Sequence, residues 1–151
     1  SYVIYHVSHT LNLVVRDSIK NTEEVKHLQE KVKHIVTYFH HNVKASAKLS
    51  KLQEQHCLPV KKLIQEVEAR WNSTYYMMQC FIQQSQLITT TLCLMGRNDM
   101  CLNNEKLQRI TKTVVVLEPF EEAEKFTSLS KIIPMVRGLQ DYRYMHSSED
   151  H

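Results

Sequence analysis

Val25, Leu28, Val32, Ile35 and Phe39 recur at steps of three and four, so they share one side of a helix. Val43 extends that stripe. It covers fewer than three heptads, too short for a free coiled coil, which predicts packing within its own fold. A capping pair, Asn21 and Glu24, is expected to open this helix. Before it, Val7, Leu11, Val14, Val15 and Ile19 predict an amphipathic helix over residues 5–20. After it, a polar stretch over residues 44–56 with Leu49 and Leu52 is ended by Pro59. Residues 60–67, "VKKLIQEV", carry β-branched residues at both ends and Ile64 within, and predict the one strand. A long helix is expected from Asn72 to about Leu94, with Met77, Phe81, Ile88, Leu92 and Met95 on one face and Gly96 stopping it. "RNDMCLNN" reads as a loop, from which Asn103 caps a helix bearing Leu107, Ile110, Val114 and Leu117. Pro119 is expected to reset the chain, "FEEAEKF" to form a short helix, and Ile132, Ile133, Val136 and Leu139 a last one with Pro134 in its first turn.

That makes about six helices and one strand: a mostly α chain with at most one or two short strands. A single strand cannot bury itself, so its sheet partners are expected outside the chain. Composition supports helices over a sandwich or barrel, since Gly occurs twice and Pro three times. The longest apolar runs, such as Val114–Leu117, cannot span a bilayer, which predicts no membrane association. The chain opens on Ser1 with no basic leader and reads as a piece of something longer. Cys57, Cys80, Cys93 and Cys101 show no paired spacing and fit a reducing, intracellular compartment. The formal net charge of +3, with nine His left neutral, is mildly basic and leaves nucleic-acid binding open.

Few residues suggest chemistry. His6 and His9 share a helical face but lack further ligands at matching offsets, so no metal site is predicted. His27, His34 and His41 lie seven apart, about 10 Å along a helix, too far to share an ion. There is no Gly-rich phosphate loop, no GxSxG and no HExxH. No catalytic residue is assigned and no cofactor is expected in this chain. Glu66 and Glu68 are the only acids near the expected strand, and a metal-dependent nuclease built on them is the weakest alternative. Arg70 and Trp71 admit two readings. Trp71 could stack an unpaired base while Arg70 holds its phosphate, or the indole could pack between helices while Arg70 pairs with an acid.

"HVSHTLNLVV" (residues 6–15) and "KLIQEVEARWNSTYYMM" (residues 62–78) resemble the hAT superfamily of transposases, closest to its domesticated zinc finger BED domain-containing members. "LEPFEEAEKF" and "SKIIPMVRGLQ" extend the likeness over nearly the whole chain. His6 stands where the family motif has Cys, His9 matches the motif histidine, and Arg70, Trp71 and Asn72 match its R-W-N; Ala69 replaces Thr. The resemblance implies a piece of an RNase H-like α/β fold running into an all-α insertion. Residues 1–71 would end the core, 72–140 would start the insertion, and 141–151 would form a polar tail. It further implies a nuclear protein whose full-length form binds DNA and regulates transcription, and dimerises through segments outside this chain. Active relatives hold divalent metals on three acids; none of those acids is expected here, so no cleavage activity is implied. The competing reading is a helical protein-protein interaction module, with the residue 25–39 stripe as its docking face.

Overall fold

The computed structural model describes residues 2–67 and 70–147. Helix follows helix with little chain between: α1 (Tyr2–Asn21), α2 (Glu23–His41), α3 (Val43–Gln55), α4 (Trp71–Gln83), α5 (Ser85–Leu94), a 3₁₀ turn (Asn98–Met100) and α6 (Asn104–Ser147). Single polar residues make several of the joints. Asn42 is extended, and its Oδ1 accepts a hydrogen bond from the Ala45 amide at 3.0 Å, capping α3. This cap ends the α2 stripe before Val43, which is 82% exposed rather than part of it. The expected cap Asn21 closes α1 instead. Thr22 takes the joint, and its hydroxyl donates back to the Ser18 carbonyl.

Two helices differ from the pattern-based expectation. The long helix through residues 72–94 is broken at Gln84 (φ −115°, ψ 12°), whose amide donates to Phe81 O in a tightened turn. The break turns α5 onto α3, an alignment one straight helix could not reach. Further on, Pro119 and Pro134 both lie inside one continuous helix, so the three expected helices are one. An interior proline removes one helical hydrogen bond and costs about 3 kcal/mol. Pro119 is exposed, as is Val115 four residues before it, so water can solvate the carbonyl left unpaired. Buried Leu117 and Glu121 on the opposite face hold the helix across the defect. Gly96 and Asn103 behave as their chemistry predicts. Gly96 adopts φ +70°, with Arg97 N donating to Leu92 O at 2.8 Å, and Asn103 Oδ1 accepts from Lys106 N at 2.9 Å.

The stripe on α2 is core. Leu28, Val32, Ile35, Val36 and Phe39 are buried against Met77, Met78 and Phe81 of α4 and Ile88 and Leu92 of α5. Each such side chain contributes about 1.5–3 kcal/mol on burial, so the stripe has no area left for a partner. This excludes it as the docking face of an interaction module. A second cluster joins Val15 and Ile19 of α1 to Trp71 and Tyr75 of α4 and Leu117 of α6. Helices before and after residue 71 therefore share both cores.

Residues 58–67 form neither helix nor ladder, so the strand expected over 60–67 is absent, and the described residues contain no second strand to pair with it. Side chains take the partner's place. Gln53, 1% exposed, donates from Nε2 to Lys61 O (3.0 Å) and accepts at Oε1 from Lys61 N (3.3 Å). His40 Nε2 donates to Leu63 O at 2.7 Å, and Ser73 Oγ lies 3.1 Å from Val67 N and 2.8 Å from Val67 O. Leu63 alone of the segment plugs into the main core. The segment is pinned along one edge, and that pinning fixes where α4 begins.

Candidate functional site

α4 starts at Trp71 because Arg70 is extended (φ −124°, ψ 114°) and Ser73 Oγ binds backbone on both sides of the turn, at Val67 and at Arg70 O (2.7 Å). This start forms one wall of an open cavity of about 420 Å³. The C-terminal part of α1 supplies Arg16, Ile19 and Lys20 to it, and α2 supplies Lys26, Gln29, Glu30 and Lys33. The chain just before α4 adds Glu66, Val67 and Arg70, and α4 adds Trp71 and Thr74.

Glu66 ties the walls together. Its side chain is 6% exposed; Lys33 Nζ lies 3.6 Å from Oε2, while Gln29 Nε2 and Thr74 Oγ1 both donate to Oε1. One carboxylate thus links α2, the irregular segment over 58–67 and α4. A buried polar group loses its water on folding, and these donors replace it.

Five cations and two carboxylates line the cavity, an excess of three positive charges. The formal net charge of the whole chain is also +3, so its basic character is concentrated here. Among the described residues, Arg16, Lys20, Lys26 and Arg70 have no ion-pair partner. The N-terminus of α4, with no acid in its first turn and no side-chain cap, lies at the same wall and adds the positive end of its dipole. The positive excess makes the potential in the cleft attractive to anions.

Trp71 is 2% exposed, its ring packed in the cluster of Val15, Ile19, Tyr75 and Leu117. Its Nε1 is buried with no hydrogen-bond partner among the described residues. An orphaned donor of this kind costs about 1–3 kcal/mol. Arg70 is exposed. Asn72 points away from the cleft and donates from Nδ2 to Glu124 Oε2 at 2.9 Å, fastening α4 to α6. His6 and His9 are exposed on α1, with His6 Nδ1 3.2 Å from Thr10 Oγ1, and neither joins the cleft. Glu68 lies outside the described residues. Among those described, no three His, Cys, Asp or Glu side chains converge in a way that could hold a metal. Likewise among them, no helix is long and apolar enough to cross a membrane.

Of the residues singled out from the sequence, the structure brings Arg70, Trp71 and Glu66 together. It adds Arg16, Lys20, Lys26 and Lys33, which belong to no motif. The spacing of Arg16 from Lys20 and of Lys26 from Lys33 does put each pair on one helical face, a signal available in the sequence.

Comparison with known proteins settles the lineage. The model of the ZBED1 RNase-like helical domain matches residues 4–117. The chain belongs to this family. As a ZBED1 RNase-like helical domain, it is 32% identical over 139 residues to human zinc finger BED domain-containing protein 4, covering 87% of this chain and 12% of that protein. Against mouse zinc finger BED domain-containing protein 6, identity is 28% over 137 residues, covering 87% of the chain and 14% of the relative. The human form of protein 6 matches to the same extent. The domain thus spans only 12–14% of the length of these relatives. No solved structure matches it. The BED-type, hAT-derived ancestry expected from the H-T-L-N-L and R-W-N-S-T motifs is correct, and so is the mostly helical fold.

Proposed function

We propose that the Arg16–Lys20–Lys26–Arg70 cleft grips the phosphate backbone of DNA, within a domesticated hAT-type nuclear protein that regulates transcription and does not cleave strands itself. The carrying observation is the excess of three positive charges, four of the cations being without ion-pair partners among the described residues. Phosphate contacts are made by such cations and by helix N-terminal amides, and they carry register and affinity rather than sequence. Sequence choice on this reading belongs to a BED-type zinc finger elsewhere in the protein, and dimerisation to other segments. Residues 1–71 stand for the end of the ancestral RNase H-like core and residues 72–140 for the start of its helical insertion.

The roles of Arg70 and Trp71 divide. Arg70, exposed at the rim, contacts phosphate. Trp71 shows no free ring face for a base, so it serves as the rigid wall.

The test is titration of the full-length protein with labelled duplex, hairpin and single-stranded DNA at several salt concentrations. With about four phosphates neutralised, the cleft should contribute about −3 to −4 to the slope of log affinity against log salt, on top of whatever other DNA-binding segments add. Arg16→Glu with Lys20→Glu should weaken binding to every sequence alike and flatten the slope by about two. An unchanged slope would remove the cleft from the interface. Strand cleavage by the same protein in Mg²⁺ or Mn²⁺ would overturn the non-enzymatic part of the proposal.

A further inference from the structure

Away from the cleft, at the far end of α5, two thiols face each other. Cys93, on the last turn of α5, is exposed; Cys101, just after the 3₁₀ turn, is half-buried. Their Sγ atoms are 3.9 Å apart, and no disulfide joins them. The chain between them folds back through Gly96 at φ +70° and the 3₁₀ turn, held by Arg97 N to Leu92 O at 2.8 Å and Cys101 N to Asn98 O at 3.1 Å. The backbone itself therefore holds the sulfurs near each other. Closing from 3.9 Å to a bond of about 2.05 Å needs side-chain rotation of about 1 Å at each sulfur, within reach of ordinary χ1 adjustment.

From this geometry we infer that Cys93 and Cys101 form an oxidation site, in which an organic or inorganic hydroperoxide converts the dithiol into an intramolecular disulfide. Cys93 is the entry point because it is exposed. Its thiol takes one oxygen from the hydroperoxide, giving a sulfenic acid and releasing the alcohol or water of the reduced peroxide. The Cys101 thiol then attacks Cys93 sulfur; the S–S bond forms, the S–O bond breaks, and the two thiol protons end in the water and the alcohol. Burial pushes the Cys101 thiol up in pKa, and its hydrogen bond with Cys93 adds to this. A raised pKa makes Cys101 a poor first nucleophile towards peroxide, which leaves entry to the exposed Cys93. Cys57 and Cys80 serve as internal references. Cys57 is exposed and has no thiol close by, and Cys80 is buried.

The experiment treats the intact protein with hydrogen peroxide or cumene hydroperoxide in the presence of glutathione, alkylates it, and maps its peptides by mass. The 93–101 disulfide should exceed the Cys93–glutathione adduct by roughly tenfold, because the neighbouring thiol's effective concentration exceeds that of millimolar glutathione. Cys93→Ser and Cys101→Ser should each abolish it, and Cys57→Ser should leave it intact. In Cys101→Ser, the Cys93 sulfenic acid should become trappable by dimedone. Urea should reduce the disulfide yield towards that of unstructured thiols, which separates a built site from mere closeness in sequence. Accumulation of glutathione adduct or Cys57-linked dimers with Cys101 still alkylated would overturn the inference. So would an undiminished yield in urea.

Discussion

Replacing Gln53 by Leu tests whether side chains truly stand in for a missing strand. The substitution keeps the volume and the apolar stem, and removes three hydrogen bonds: two to the Lys61 backbone and one to Gln84 Oε1. Because Lys61 is exposed and Gln84 half-buried, water can take up the groups left behind. The loss is then the net value of the bonds, about 1 kcal/mol each, without a full desolvation penalty, so Gln53→Leu should cost about 2–3 kcal/mol. Urea denaturation should show a lower midpoint at unchanged slope. Native-state hydrogen exchange should speed up at the Lys61 amide well before it does in α2, since the damage is local. If stability stays within about 0.5 kcal/mol and Lys61 exchange does not change, the amide of Gln53 does not hold the segment and the reasoning fails.

Two more outcomes follow from the packing. The Glu121 carboxyl is buried, which alone would raise its pKa, but hydrogen bonds from Lys125 Nζ (2.8 Å) and Tyr76 Oη outweigh this and hold it below the ordinary 4.5. The folded chain therefore binds fewer protons at this site than the unfolded one, and the contribution is complete above about pH 4.5 and lost as pH falls through the depressed folded value. Glu121→Gln should flatten that acid limb in a stability-versus-pH series. Pro119→Ala restores the missing backbone donor at an exposed position inside α6 and should raise stability by about 1–3 kcal/mol, measured as a higher urea midpoint; a drop would mean that α6 needs a bend there.

Local chemistry announced its own consequences at several single residues, though not at Asn21. Asn103 caps, Gly96 stops a helix, and the three-four rhythm of α2 is core, all as the residues predict. What escaped prediction depended on distant neighbours. The hydrophobic rhythm runs unbroken through Gln84, so only the turn of α5 towards α3, and the bond from buried Gln53, explain the break. Pro119 looks like a stop because its chemistry opposes a helix, yet burial of Leu117 and Glu121 on either side carries α6 through. "VKKLIQEV" forms no strand despite its β-branched ends, because a ladder needs a second backbone, which propensity cannot supply. The cleft was half legible. Arg70 and Trp71 stood out as a motif, whereas Arg16, Lys20, Lys26 and Lys33 acquire meaning only when α1 and α2 are laid beside α4.

Glu66 sets two demands against each other. The same carboxylate that fastens three elements also subtracts one charge from the surface that would attract an anion. Neutralising it would enlarge the positive excess from three to four while loosening the wall that aims Arg70. Sequences drifting at this position therefore face a compromise between grip and rigidity, and neither can be maximised by changing residue 66 alone.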